Sequence, residues 1–470
     1  MNKEISVGFL KSALESKNHY KSLDEIKKWL IDQNNKTEVL IKKIPFKNLK
    51  LWSFNENSLV HKSGKFFSID GINVKTNWGK INEWDQPIIN QPEIGYLGFI
   101  SKEIYGVLHF LCQAKIEPGN VNHVQLSPTL QATRSNYTQV HKGIKPLYLE
   151  YFQKARPEQI LLDQLQSEQG ARFLKKRNRN IIIRVEEDIK VHDNFMWLTL
   201  SQLKKLMNID NLVNMDTRTV ISGISFGEFN SKEVNLFEFI SSDKKDLNSK
   251  FLISSLTKDK SYHSTENIIN KLTQLKSSFD LEITKIPLDS VKDWVIDDYE
   301  IYNVKKKYFK VIAVDVEISN REVLNWTQPM IQPAQDGICG FICKEIDGIL
   351  HFAVQMKLEC GNLDIIEFAP TVQTLTGGYK NTKENEVPFL DYLLNVDAKK
   401  IIYNSIQSEE GGRFYKEQNQ NLIVLAGDEI NIDLPKNYVW MTINQMNTFL
   451  KFNNFLNIQA RNLISLISYN

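Results

Sequence analysis

Gln113, Lys115 and Glu117 occupy alternate positions of GVLHFLCQAKIE. An extended chain presents them as an amide, an ammonium and a carboxylate on one face. The opposite face carries Leu108, Phe110, Cys112, Ala114 and Ile116 and reads as core. Thr129 and Gln131 share a face of the next extended segment. Two adjacent strands with polar rows facing one way predict the floor of a cavity, where a carboxylate can move a proton and a cation can hold a developing oxyanion. The same row returns as Gln355, Lys357, Glu359, Thr371 and Gln373. QSEQGARF then places Glu168 and Arg172 four residues apart, and QSEEGGRF does the same for Glu409 and Arg413, with Tyr415 following. Over a helix at 167–176 such residues meet. The pair is either a structural ion pair or a proton-handling carboxylate beside a cation for phosphate or a sugar hydroxyl. His109 and His351 lie in apolar surroundings and read as buried neutral histidines bonded to backbone.

These residues belong to a duplication. The stretches 84–133 and 326–375 align without a gap at an offset of 242, pairing Trp84 with Trp326, Gly119 with Gly361 and Pro128 with Pro370. The match extends upstream through Trp52/Trp294 and Phe67/Phe309, and downstream through Asn214/Asn457 and Arg218/Arg461. A repeat this long in two copies predicts two whole domains, 1–222 and 263–470, with 223–262 as a linker or crossover. Each copy opens with a helix. Ser22-Leu23-Asp24-Glu25 has capping-box spacing, and Ser264 takes the N-cap position in the second copy. Strands are expected at 37–44, 58–62, 65–76, along GYLGFI to GVLHFLCQAKI, at 121–133, 160–165 and 180–185, with a hairpin turn at 117–120 and a helix from Ser201. Strands mixed with helices, without βαβ alternation, predict an α+β fold.

Composition excludes several classes. The formal net charge of +2 gives no electrostatic case for nucleic acid. No apolar run reaches the ~20 residues of a membrane-spanning helix, and the first twenty residues lack a signal-peptide core. Four cysteines, none held in both copies, predict no disulfide framework and fit a reduced, cytoplasmic setting. There is no HExxH, paired CxxC, GxGxxG or Walker loop, so neither a metal nor a dinucleotide cofactor is expected. The copies also diverge: ATRSNYTQVHKGIKP, with Arg134, Asn136 and Tyr137, faces TLTGGYKNTKENEVP, with Tyr379, and KKRNRN faces KEQNQN. The first copy is electrostatically the better host for a diphosphate.

GxLHFxxQAKxEPGN, SPTLQATRSNYTQVHKG, YLEYF and QSEQGARF, followed by a second copy with APTVQ and QSEEGGRF, resemble the NDP-hexose 2,3-dehydratases over nearly the whole chain. The resemblance implies two fused Nudix-hydrolase-like domains lacking the Nudix box, a homodimer, and a nucleoside-diphospho-4-keto-6-deoxy-glucose substrate, most often dTDP-linked. It implies loss of the C3 proton and the C2 hydroxyl, giving a 3,4-diketo-2,6-dideoxy sugar without a redox cofactor. Lys115, Glu168, Tyr137, Lys357 and Glu409 are then candidates for catalysis. Gln113, Thr129, Gln131, Arg134, Asn136, Arg172, Gln355, Thr371, Gln373, Tyr379, Arg413 and Tyr415 are candidates for binding. Which residue is base and which is acid stays open. The alternatives are a sugar-nucleotide-binding protein without chemistry and an epimerase or other lyase on the same 4-keto sugar.

Overall fold

The computed structural model describes residues 3–138, 145–234, 246–319, 323–375 and 387–469. Each repeat builds a seven-stranded mixed sheet and contributes to a five-stranded antiparallel one. In the first repeat the large sheet runs Ile160–Ser167, Arg177–Arg184, Gly95–Ile104, Val107–Ile116, Phe195–Thr199, with Val124–Ser127 and Leu130–Ala132 pairing on two of these strands. The second repeat has the same order from Ile401–Ser408 to Tyr438–Met441. Arg177–Arg184 lies parallel to Gly95–Ile104, and the other pairs in this sheet are antiparallel. The Ser22 capping box forms in both directions, and Ser264 accepts from Asn267. The expected hairpin pairs Lys115 with Gln125 and Ile116 with Val124.

The small sheets are exchanged. Val39–Ile44 of the first repeat pairs with Phe309–Ile318 of the second, from Val39↔Ile318 to Ile44↔Ala313. Leu281–Ile286 returns the exchange onto Ser68–Thr76. One continuous apolar core joins Phe9, Phe99 and Phe110 with Phe341, Phe352 and Phe449, so the two repeats are interlocked. Two buried arginines reinforce the junction: Arg218 donates to the Ser408 carbonyl and Arg461 to the Ser167 carbonyl at 2.5 Å.

Two expectations differ from the structure. The segment 223–262, expected as a linker or crossover, contains the helix Leu247–Leu256, which stands where Lys3–Leu14 stands in the first repeat. Ser12 Oγ donates to the Leu108 carbonyl at 2.6 Å, and Ser254 Oγ to the Leu350 carbonyl at 2.7 Å. No helix covers 167–176. The strand runs to Ser167 and one turn follows, in which Phe173 N–H bonds to the Gln169 carbonyl. The turn cannot propagate because Leu174 and Lys175 N–H groups are taken by the carbonyls of Ile89 and Gly361.

Candidate active site

The two motif loops cross to the opposite repeat. Gly119 N–H donates to the Gly411 carbonyl at 2.7 Å and Gly361 N–H to the Gly170 carbonyl at 2.6 Å. A Cβ on Gly119 would stand 1.7 Å from the Phe414 carbonyl oxygen, so only glycine allows this approach. The crossing carries Glu410 and Arg413 of the second repeat into a cavity of about 790 Å³ floored by the first, within the range typical of small-molecule sites. Lys115, Glu117 and Gln131 form the floor; Glu168, Lys176, Asn178 and Asp216 stand at its side.

Glu117, Asp216 and Glu410 converge, each offering a carboxylate oxygen within 4.8 Å of the others. Gln131 Nε2 donates to Glu117 Oε1 at 2.9 Å, and Gly412 N–H donates to Glu410 Oε1 at 2.9 Å. Burial lifts Asp216 well above the ordinary aspartate range. Repulsion from Glu410, Glu168 and Glu117 adds to this, and Lys115 opposes it. Burial also raises Glu410 to about 7, with Arg413 pulling back and Glu117 and Glu168 pushing further. Such a trio can hold a hard cation or share protons. The neighbouring Lys115 ammonium already supplies positive charge and supports proton sharing. Lys176 is buried and its ammonium lowered to about 8 by desolvation, against the pull of Glu168. Glu168 is itself raised by burial; Asn178 donates to one oxygen at 2.8 Å, and the other has no hydrogen-bond partner among the described residues.

The cavity therefore gathers five of the residues expected from sequence to act in catalysis or binding, Lys115, Gln131, Asn136, Glu168 and Arg413, together with Glu117 of the same polar row. The expected Glu168–Arg172 pairing does not form. Without a helix the two side chains diverge, and Arg172 turns to Glu417 at 3.7 Å and lies over the Phe309 ring. Thr129 and Thr371 serve the backbone instead of the cavity. The chain switches sheet partner there, and each hydroxyl accepts one strand's N–H (Ile100 or Ile342) and donates to another's carbonyl (Leu111 or Ala353). Tyr137 packs against Tyr96 with ring centroids 5.7 Å apart, and Arg134 is exposed; neither lines the cavity. Gln113 and Gln355 are half-buried away from it, and Tyr415 lies beneath Lys43 and Lys416. Lys357 and Gln373 repeat the first floor in the second half: Lys357 Nζ donates to the Gln373 carbonyl at 3.0 Å, as Lys115 does to that of Gln131 at 3.2 Å. Glu409 is buried, raised by desolvation, and bonded by Asn419 and Gln169. Tyr379 lies outside the described residues. The two histidines sit as expected: Tyr20 N–H donates to His109 Nε2 and Tyr262 N–H to His351 Nε2, which leaves each Nδ1 proton for the carbonyls of Val107 and Ile349.

Sequence reasoning does not single out Glu410 or Asp216, and it reaches Lys176 only within the contrast of KKRNRN with KEQNQN. Their counterparts in the other repeat are Gln169, Gln459 and Glu417. The signal lay in where the repeats differ.

Comparison with known proteins gives the family. A family model described as NDP-hexose 2,3-dehydratase matches residues 23–224 and again 265–467. The chain is 43% identical over 460 residues to a Saccharopolyspora spinosa protein named dTDP-4-dehydro-6-deoxy-alpha-D-glucopyranose 2,3-dehydratase, covering 97% of this chain and 93% of that one. Proteins of the same name from Amycolatopsis orientalis and Streptomyces violaceoruber are 38% and 37% identical, over 95% and 93% of this chain and 90% and 95% of theirs. With both repeats matched by the family model and relatives 37–43% identical over nearly the whole chain, the chain belongs to the NDP-hexose 2,3-dehydratase family.

Proposed function

We propose that the first-repeat cavity dehydrates dTDP-4-keto-6-deoxy-glucose across C2 and C3. The observation that carries this reading is the convergence of Glu117, Asp216 and Glu410 beside Lys115. The C4 ketone acidifies the C3 proton. Glu410, poised near neutrality, removes it. The Lys115 ammonium stabilises the charge that develops on the C4 oxygen. Asp216, whose carboxyl is lifted well above the ordinary range by burial and its acidic neighbours, delivers a proton to the departing C2 hydroxyl, so that water leaves and a C2=C3 enol remains. The enol tautomerises to the 3,4-diketo-2,6-dideoxy sugar.

One catalytic cavity per chain goes with this reading, because Gln169 and Gln459 remove two of three carboxyls from the second set. The resemblance also supports a Nudix-hydrolase-like origin of each repeat, a homodimer and a cytoplasmic enzyme. The matching Ser12 and Ser254 bonds support a second repeat that opens near 245. The test is incubation with dTDP-4-keto-6-deoxy-glucose in D₂O, with and without a ketoreductase trap. Loss of the C2 hydroxyl is expected. Deuterium at C3 with the hydroxyl retained would instead identify an epimerase, and binding with neither change a non-catalytic receptor.

A further inference from the structure

The cavity has a second, chemically different region. Trp52, His61, Phe66 and Phe67 form a linked aromatic set: Trp52 lies 4.7 Å from Phe67 and 5.2 Å from His61, and His61 lies 4.7 Å from Phe66. All four line the cavity, Trp52 and Phe67 as buried side chains and His61 and Phe66 as half-exposed ones. Phe66 is held in left-handed backbone, φ 71°, with its N–H bonded to Ser135 Oγ. A phenylalanine held in strained backbone at a cavity wall is an arrangement that a ligand can repay. Trp326 of the second repeat also lines the cavity. Arg413 links this region to the carboxylates. Its guanidinium lies 4.7 Å from the Phe67 ring centre, it bonds Gln91 and its own neighbour's carbonyl, and its Nε has no hydrogen-bond partner among the described residues.

We infer that His61 and Phe66 stack the nucleobase of the substrate and that Arg413 takes its diphosphate, which turns the hexose toward Glu117, Asp216 and Glu410. This deepens the proposed function and rests on it. The orientation follows from charge. A diphosphate carries two negative charges and is repelled by the carboxyl cluster, whereas the Arg413 guanidinium in the cavity wall attracts it. A flat base is the part of the molecule that aromatic faces bind independently of charge.

The experiment titrates the protein with dTDP alone by calorimetry and measures KM for the complete sugar nucleotide. Phe66→Ala should weaken dTDP about ten-fold, the order expected of one lost base–aromatic stack, and the loss should appear in KM. His61→Ala should weaken it in the same direction, and Arg413→Gln more than either. Asp216→Asn should abolish turnover and still bind dTDP as the wild type does. The inference is overturned if Phe66→Ala and His61→Ala, folded by circular dichroism, bind dTDP within two-fold of a wild type that binds and converts the substrate. A wild type that neither binds dTDP nor converts the sugar nucleotide overturns the proposed function together with it.

Discussion

Glu410→Gln places in the second repeat the residue that the first already carries at the equivalent position, Gln169. The fold has therefore accepted this side chain in the same loop, and a change in activity can be separated from misfolding. Loss of the base should lower kcat by roughly 10²–10⁴-fold. Stability should move the other way. Burial lifts Glu410 from 4.5 to about 7, a shift that corresponds to about 3 kcal/mol. Because the side chain faces an open cavity, ~2 kcal/mol is the appropriate expectation. A raised carboxyl binds its proton more tightly in the folded state. Its cost is therefore absent below pH 4.5, grows as pH rises toward 7 and is complete above it. Urea unfolding should show the variant ~2 kcal/mol more stable than wild type at pH 8 and equal to it near pH 4, by the same linkage. Product formation with a ketoreductase trap reads the activity. An activity loss below ten-fold, or a variant less stable than wild type at pH 8, would refute the assignment of Glu410 as a strained, functional base.

Lys115→Ala should reduce kcat by about 10²-fold or more, while Lys357→Ala, in the half that carries Gln169 and Gln459, should stay within a few-fold; equal inactivation in a trap assay counts against a single cavity. Thr129→Val strands one N–H and one carbonyl at the strand switch and should cost about 1–3 kcal/mol in urea unfolding, with kcat per folded molecule retained. Gly119→Ala forces a Cβ onto the Phe414 carbonyl and should reduce both stability and turnover, since it dislodges the loop that delivers Glu410 and Arg413; a variant with wild-type melting and rate would show that the crossing is dispensable.

The sequence made the local pieces readable. Ser22 and Glu25 specify a capping box, and the turn at 117–120 specifies a hairpin; both form. Lys115 and Gln131 could be placed on a cavity floor from alternation alone. The strand exchange could not. VLIKKI and LEITKI carry similar patterns, and either satisfies either sheet, so alternation gives the register but not the partner. The 167–176 turn was hidden for a related reason: the acceptors that end it belong to Ile89 and to the other repeat's Gly361. Glu409 matches Glu168 of the first repeat, whereas Glu410 stands opposite Gln169, so agreement between the repeats points to Glu409 and away from Glu410. Shared residues such as Thr129 and Thr371 hold the common scaffold, whereas the carboxyls proposed for the chemistry lie where one copy departs from it.

The exchanged strands also set a timetable. Val39–Ile44 emerges from the ribosome early, yet its partner Phe309–Ile318 follows roughly 270 residues later. At translation rates of about 5–20 residues per second, the strand waits for ~15–50 s with an open edge. An unpaired strand edge is a template for aggregation. Lys42 and Lys43 lie on this one, and such charges are a common guard against the wrong partner. The nascent first repeat cannot complete its neighbour's sheet until the second is made, so assembly of the catalytic cavity is among the last events in the life of the growing chain.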